Sequence, residues 1–240
     1  MFIRPITRED LPQAVAISNS IFRNDELFAW LFPRQHVYPD DLRRFQFLRF
    51  RTRLMMVGCH GFVMVTEESD PYWTGKEEVV GYAFFERTGD DAAAQKWRQD
   101  TIFRKIERYL LSWEKYYEDH MLDRITDRVR LKAYIKNIDD GFYDKFKSRW
   151  HLGVLGVSQE FQRRGIGGKL VRYGLKIAAD ENVPMTLEAS IMGRGLYEKC
   201  SFKVVKEVEV AEGLNEVTML WEPEVRAEDA QSGKGGATDQ

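Results

Sequence analysis

"FQRRGIGGKL", residues 161–170, sets three glycines and two arginines between an apolar run and a stretch with helical spacing. A strand that ends in such a loop and opens a helix presents unpaired backbone N–H groups, and the helix dipole adds partial positive charge. The place suits a phosphate, which the glycines let approach the main chain and to which Arg163 and Arg164 bring charge. Two nucleotide motifs fail here. The triphosphate loop needs glycine where Arg163 stands, five residues before Gly168, and Ser or Thr where Leu170 stands. A dinucleotide fingerprint starting at Gly165 reaches Gly167 but again meets Leu170 in place of its third glycine.

Outward from the loop, "WHLGVLGV" precedes it as a buried-strand pattern, a helix is predicted over 166–181, and "PMTLEAS" reads as the next strand. "GRGLYEKC" reads as a short helix, and "FKVVKEVEV" and "NEVTMLWE" as two alternating strands. Nearer the start, "FIRPI" reads as a strand, followed by a helix with Thr7 as its N-cap. A loop over 24–36 carries Phe28, Trp30 and Phe32, a helix follows over about 40–56, and "GFVMVTE" and "EEVVGYAFFER" form a strand hairpin. From 90 to about 148 apolar and aromatic residues recur at helical spacing, among them Phe103, Ile106, Leu110, Trp113, Tyr117 and Met121. This reads as a helical hairpin insertion of roughly 55 residues, turning near Leu122 and Asp123, with its apolar stripe packed on the body.

Gln162-Arg163-Arg164-Gly165-Ile166-Gly167 fits the pattern Gln/Arg-x-x-Gly-x-Gly/Ala at every defined place. With the strand before it, the helix after it and the later "LYEKCSF", the sequence resembles the GCN5-related N-acetyltransferase (GNAT) superfamily. Ser201 stands where glycine is usual before Phe202. The resemblance covers about 2–88 and 150–222 in element order. It implies a mixed α/β (α+β) fold: a central, mostly antiparallel sheet of six to seven strands flanked by helices. One N-acetyltransferase domain would span 1–222, with the insertion at about 90–148 added to the family's minimal core.

The resemblance further implies acetyl-CoA as co-substrate and no metal. Its pyrophosphate would lie on Gln162, Arg163, Arg164, Gly165, Ile166, Gly167, Gly168 and Lys169, and its pantetheine arm and acetyl group along the backbone of Leu155, Gly156 and Val157. Tyr197 matches the family tyrosine that donates a proton to the leaving sulfur, and a phenol pKa near 10 suits a neutral donor. His151 is the candidate base, since "HLGVLGV" resembles a strand of the arylalkylamine branch in which two histidines relay a proton; here Gly153 takes the second place. Glu86, Glu188 and water compete for that role. Asp25 and Glu26 could attract an ammonium, Phe28, Trp30 and Phe32 could cover an apolar acceptor, and Glu188 could join either lining.

Composition bounds the partners. The chain has 240 residues, 43% apolar, with a formal net charge of -2. That gives no general electrostatic footprint for nucleic acid. Cys59 and Cys200, with four scattered histidines, form no metal-ligand spacing. The start lacks a signal-peptide pattern, and the longest apolar stretch, "LMMVGCHGFVMV", falls short of the roughly 20 residues a membrane helix needs. We therefore expect a cytoplasmic enzyme, monomer or homodimer, acting on a small-molecule primary amine, with no nucleic-acid or membrane partner. A protein or peptide N-acetyltransferase and a non-catalytic acyl-CoA sensor are the alternatives. The segment 223–240, small and charged, is expected to be disordered.

Overall fold

The structure is a computed structural model and describes residues 1–138, 141–211 and 213–224. All but its first two residues, the tail expected at 223–240 lies outside them. In chain order come β1 (Phe2–Pro5), α1 (Leu11–Phe22), α2 (Glu26–Leu31), α3 (Pro39–Met55), β2 (Cys59–Val65) and β3 (Val79–Thr88). The insertion holds α4 (Ala92–Trp97), α5 (Ile102–Tyr117) and α6 (Arg128–Ile138). Then follow β4 (Arg149–Val157), α7 (Ile166–Asp180), β5 (Met185–Ser190), α8 (Ile191–Glu198), β6 (Lys203–Ala211) and β7 (Leu214–Trp221).

The seven strands form one sheet in the order β1-β2-β3-β4-β5-β7-β6. Every neighbouring pair is antiparallel except β4 and β5. β3, "VVGYAFFERT", is buried along nearly its whole length because both faces of the central sheet are covered. One core lies under α7 and joins Phe85, Trp150, Leu152, Leu170, Leu187 and Met219. The other lies under α1 and α3 and joins Phe50, Val63, Tyr82, Phe84 and Val154. β6 alternates exposed and half-buried residues, as an edge strand with one half-covered face should.

Trp150, Leu152 and Val154 are evenly spaced, yet Val154 falls in the opposite core. The cause is a bulge: Phe84 pairs Val154 but Phe85 pairs Leu152, leaving Gly153 as the extra residue of β4. Gly156 is needed for a close approach, because a Cβ there would stand 2.6 Å from the Tyr82 ring.

Three expectations are corrected. Thr7 does not cap α1; Asp10 occupies the N-cap position, and its carboxylate is held by Arg4 and by the Thr7 backbone N–H. The segment 24–36 is not all loop: Asp25 accepts from the Phe28 N–H and caps the short helix α2. The apolar stripe of α5 does not pack on the body. Leu111 alone in that helix is buried, against Leu48 and Met55 of α3, while Phe103, Ile106, Leu110, Trp113 and Tyr117 are exposed. These residues recur every three or four positions and so form one stripe, which faces outward, while α5 docks on α3 by the opposite, mostly charged face that carries Leu111. The turn of the insertion, a π turn over Glu118–Leu122, carries the chain to Ile125, which is buried with Phe28, Leu31, Phe32 and Leu42.

Candidate active site

The parallel pair is short. β4 and β5 match only at Trp150–Met185, His151–Thr186 and Leu152–Leu187; beyond that they fork. Past the fork β5 keeps its pairing with β7, and β4 keeps its pairing with β3 through Leu155–Ala83, Gly156–Tyr82 and Val157–Gly81. The edge of β4 that faces β5 thus offers backbone N–H and C=O groups at Gly153 to Val157 with no strand partner, a slot for an extended ligand.

The slot leads to the glycine loop. The Gln162 side-chain amide donates to the Val157 carbonyl, 3.2 Å away, and ties the loop to the strand. Arg163 (φ 62°) and Gly165 (φ 79°) both adopt left-handed backbone. Gly165 is the N-cap of α7 with no side-chain cap, and the space where its Cβ would lie is open. The first-turn N–H groups of α7 thus have no side-chain cap, the state in which a helix N-terminus can receive an anion. Ile166 buries its side chain under α7, so only its backbone can serve the loop, and Gly168 is buried beside Arg172. Gly167 faces Leu196 of α8, and Lys169 and Arg163 are exposed. Arg164 stacks on Tyr72, 4.1 Å from the ring centre, which holds a cation beside the loop.

At the fork stand the groups that can move a proton. Glu188 is the first β5 residue past the last paired position, and its carboxylate lies 3.3 Å from His151 Nε2. His151 Nδ1 is 3.0 Å from Thr186 Oγ1, whose hydroxyl donates to the Trp150 carbonyl at 3.5 Å. That chain makes Nδ1–H the donor to Thr186 and turns the Nε2 lone pair toward Glu188. Burial, with Arg149 and Arg53 nearby, pushes His151 down to about 3, so its imidazole is neutral. Burial, with the carboxylates of Glu216 and Glu86, pushes Glu188 up to about 7. Of the two, the carboxyl group exchanges its proton near neutral pH. Tyr197 packs on Phe202 and the main core, and burial raises its phenol further, leaving it a neutral donor.

The remaining predicted residues divide. Phe28 and Phe32 are buried, 8% and 3% exposed, in an aromatic cluster with Phe22 and Phe45, so they build the wall under α2 and do not cover a ligand. Trp30 is half-buried beneath the Arg130 guanidinium of α6, and Glu26 is exposed in the first turn of α2. Asp25 is held above the usual carboxylate range, mainly by burial. Glu86 bonds Arg53 at 3.4 Å and is the cross-strand partner of His151.

Sequence reasoning did not find Glu216, Tyr134, Tyr143, Arg49 or Arg53. Glu216 of β7 is buried and accepts from the Tyr134 hydroxyl of α6 at 3.2 Å; burial raises its carboxyl pKa. Tyr143, in the 3-10 turn that ends the insertion, sets its ring edge-on to His151 at 5.6 Å. The alternation of Thr186 and Glu188 with apolar Met185, Leu187 and Ala189 was a readable signal that β5 has a polar face. No comparable signal marked Tyr134 or Arg49, whose roles depend on how helices dock.

Residues 112–223 match the model of the acetyltransferase (GNAT) domain family. That segment holds the fork and the glycine loop, and the open seven-stranded sheet is that of the GNAT fold. Solved structures agree on the fold. A histone acetyltransferase HPA2 and related acetyltransferase from Corynebacterium glutamicum aligns with TM-score 0.58 at 18% identity, over 94% of this chain and 97% of that one. Arabidopsis thaliana NAA60, bound to a bisubstrate analogue, aligns with TM-score 0.52 at 13% identity, over 94% and 99%. An N-acetyltransferase from Staphylococcus aureus aligns with TM-score 0.51 at 14% identity, over 92% and 100%. Among the described residues no helix is long and apolar enough to cross a membrane.

Proposed function

We propose that this enzyme transfers the acetyl group of acetyl-CoA to the primary amine of a small molecule, by direct attack of the amine on the thioester. The observation that carries the reading is the fork between β4 and β5, which opens beside an uncapped helix N-terminus and has a proton-exchanging carboxyl group at its base.

Bound acetyl-CoA would supply the activated acyl group. Its diphosphate would take the N–H groups of Gln162 to Gly168, with Arg164 and Lys169 adding charge, and its thioester arm would run along the free edge of Leu155, Gly156 and Val157. Asp25, Glu188 and Glu216 give the far side of the fork an acidic lining that favours an ammonium. The acceptor must lose a proton before it attacks. Glu188 takes that proton, through His151 or a water, because an imidazole with pKa about 3 cannot keep one near pH 7. Transfer forms the C–N bond and breaks the C–S bond, and Tyr197 donates to the departing sulfur. The single domain spans 1–222, and its insertion narrows the acceptor side by placing Tyr134 and Tyr143 over the acidic residues.

Acetyl-CoA consumption by the purified chain across a panel of primary amines tests the reading. Turnover on a small amine is expected. Coenzyme binding without turnover on any amine, unchanged in Tyr197→Phe, would instead make the protein a sensor, and turnover confined to peptides would make it a peptide acetyltransferase.

A further inference from the structure

A cavity of about 400 Å³ opens between α3, β3 and the turn of the insertion. Arg49, Thr52 and Arg53 of α3 line it together with Glu86 of β3 and the acidic turn. Its acidic residues are already matched. Asp41 is held by Arg44 and Arg124, Glu118 by Arg44, Asp119 by Lys115, Asp123 by Arg128 and Glu86 by Arg53. Arg49 is not matched. Among the described residues its guanidinium has no ion pair or hydrogen bond, only the Phe28 ring 5.7 Å away.

Arg53 is underused as well. Its contacts to Glu86 and to the Gly153 carbonyl are long, 3.4 and 3.5 Å, and its buried Nε has no partner. Two guanidiniums side by side in a wall, one unpaired and one half-paired, leave the cavity with an uncompensated positive charge. Burial and Arg53 push Arg49 down to about 10, so its guanidinium stays charged at neutral pH. Leaving such charges unpaired costs stability, and an anion brought by a ligand would offset that cost through paired N–H donors.

The cavity is also placed for the reaction. Glu86, in its wall, is the cross-strand partner of His151, and Arg53 reaches Gly153, the bulge residue at the fork. Resting on the reading above, we propose that the acceptor is an amine that also carries a carboxylate, which Arg49 and Arg53 bind in this cavity while the amine lies at Glu188.

The test uses the full chain with acetyl-CoA and matched acceptors: tyrosine against tyramine, lysine against cadaverine, 5-aminopentanoate against pentylamine. In at least one pair the carboxylate-bearing member should have the higher kcat/KM, by about 10- to 100-fold, the range for a charged hydrogen bond. Arg49→Gln should erase that preference, bringing kcat/KM for the carboxylate-bearing member down to that for its neutral partner. Preference for the neutral member in every pair, or a carboxylate preference that survives Arg49→Gln, overturns the proposal. Calorimetric binding of the matching N-acetyl amino acids needs no turnover. Wild-type affinity about 10-fold above that of Arg49→Gln supports the carboxylate site even if no amine is acetylated, and equal affinities overturn it. The Tm of Arg49→Gln should equal or exceed that of wild type, because an unpaired buried charge is removed; a fall would make Arg49 a structural residue and sink the proposal.

Discussion

The proposed donor and acceptor sides of the fork are built differently. The donor side is backbone: free strand edge, helix N-terminus, and glycines that keep side chains away. The acceptor side is side chain: Glu188 and Glu216 from strands, Arg49 and Arg53 from α3, Tyr134 and Tyr143 from the insertion. Backbone recognition suits a ligand whose shape never changes. Side-chain recognition can be rebuilt without touching the sheet, which is how one fold accepts many substrates.

The largest effect should fall on the donor side. Gly167→Glu places a carboxylate at the cradle, against Leu196, and should weaken acetyl-CoA binding by more than about 100-fold in calorimetry, with an unchanged circular dichroism spectrum. Normal affinity in a folded variant would move the cradle elsewhere. On the acceptor side, Glu188→Gln should lower kcat by about 100- to 1,000-fold with coenzyme affinity intact. Since the base is the carboxylate and its pKa is about 7, the wild-type rate should rise as pH climbs through 7, and the variant should lose that limb. Stability moves oppositely. The raised folded pKa means that native Glu188 keeps its proton where the unfolded chain has released it, so wild type should lose stability relative to Glu188→Gln as pH rises from about 4.5 to 7. A flat pH–Tm difference would remove Glu188 from the role of buried acid.

Between the two sides, Arg87 of β3 is fully buried and bonds Glu181, Asp91 and Ser148. Arg87→Ala should cost about 3–5 kcal/mol in denaturant unfolding, because two carboxylates lose their cation. Tyr197→Phe should lower kcat by about 10-fold without altering coenzyme affinity; a change in affinity alone would make the ring a packing element. The smallest effect is at Ser201, a non-glycine residue at φ 66°. Ser201→Gly should stabilise by about 0.5–1 kcal/mol and leave activity unchanged.

The contrast explains what could be read in advance. A backbone site leaves its mark in local sequence, so Gln162 to Gly167 and the strand before it could be read as a candidate cradle, and that loop does lie at the uncapped N-terminus of α7. Ser201 was visible as a departure, and its left-handed backbone explains why glycine is usual there. The proposed acceptor site joins residues far apart in the chain: Arg49, Glu86, Tyr134, Glu188 and Glu216 meet only when α3 and α6 dock over the sheet. His151 and Glu188 were each legible as candidates, but their division of labour depends on burial. The aromatic residues of 24–36 looked like a ligand cover because α2 is too short for periodicity to separate a buried face from an exposed one.

The clamp at Arg87 bears on how the chain folds. Thr88 of β3 and Arg149 of β4, 61 residues apart, are paired neighbours, so the insertion occupies what would otherwise be the turn of a central hairpin. Closing a loop of that length adds about 2 kcal/mol of entropic cost over a four-residue turn. Such non-local pairing slows the search for the native sheet. Asp91 at the start of the excursion and Ser148 at its end both reach the same guanidinium. One buried cation thus serves as the latch on which the two banks of a 60-residue detour meet.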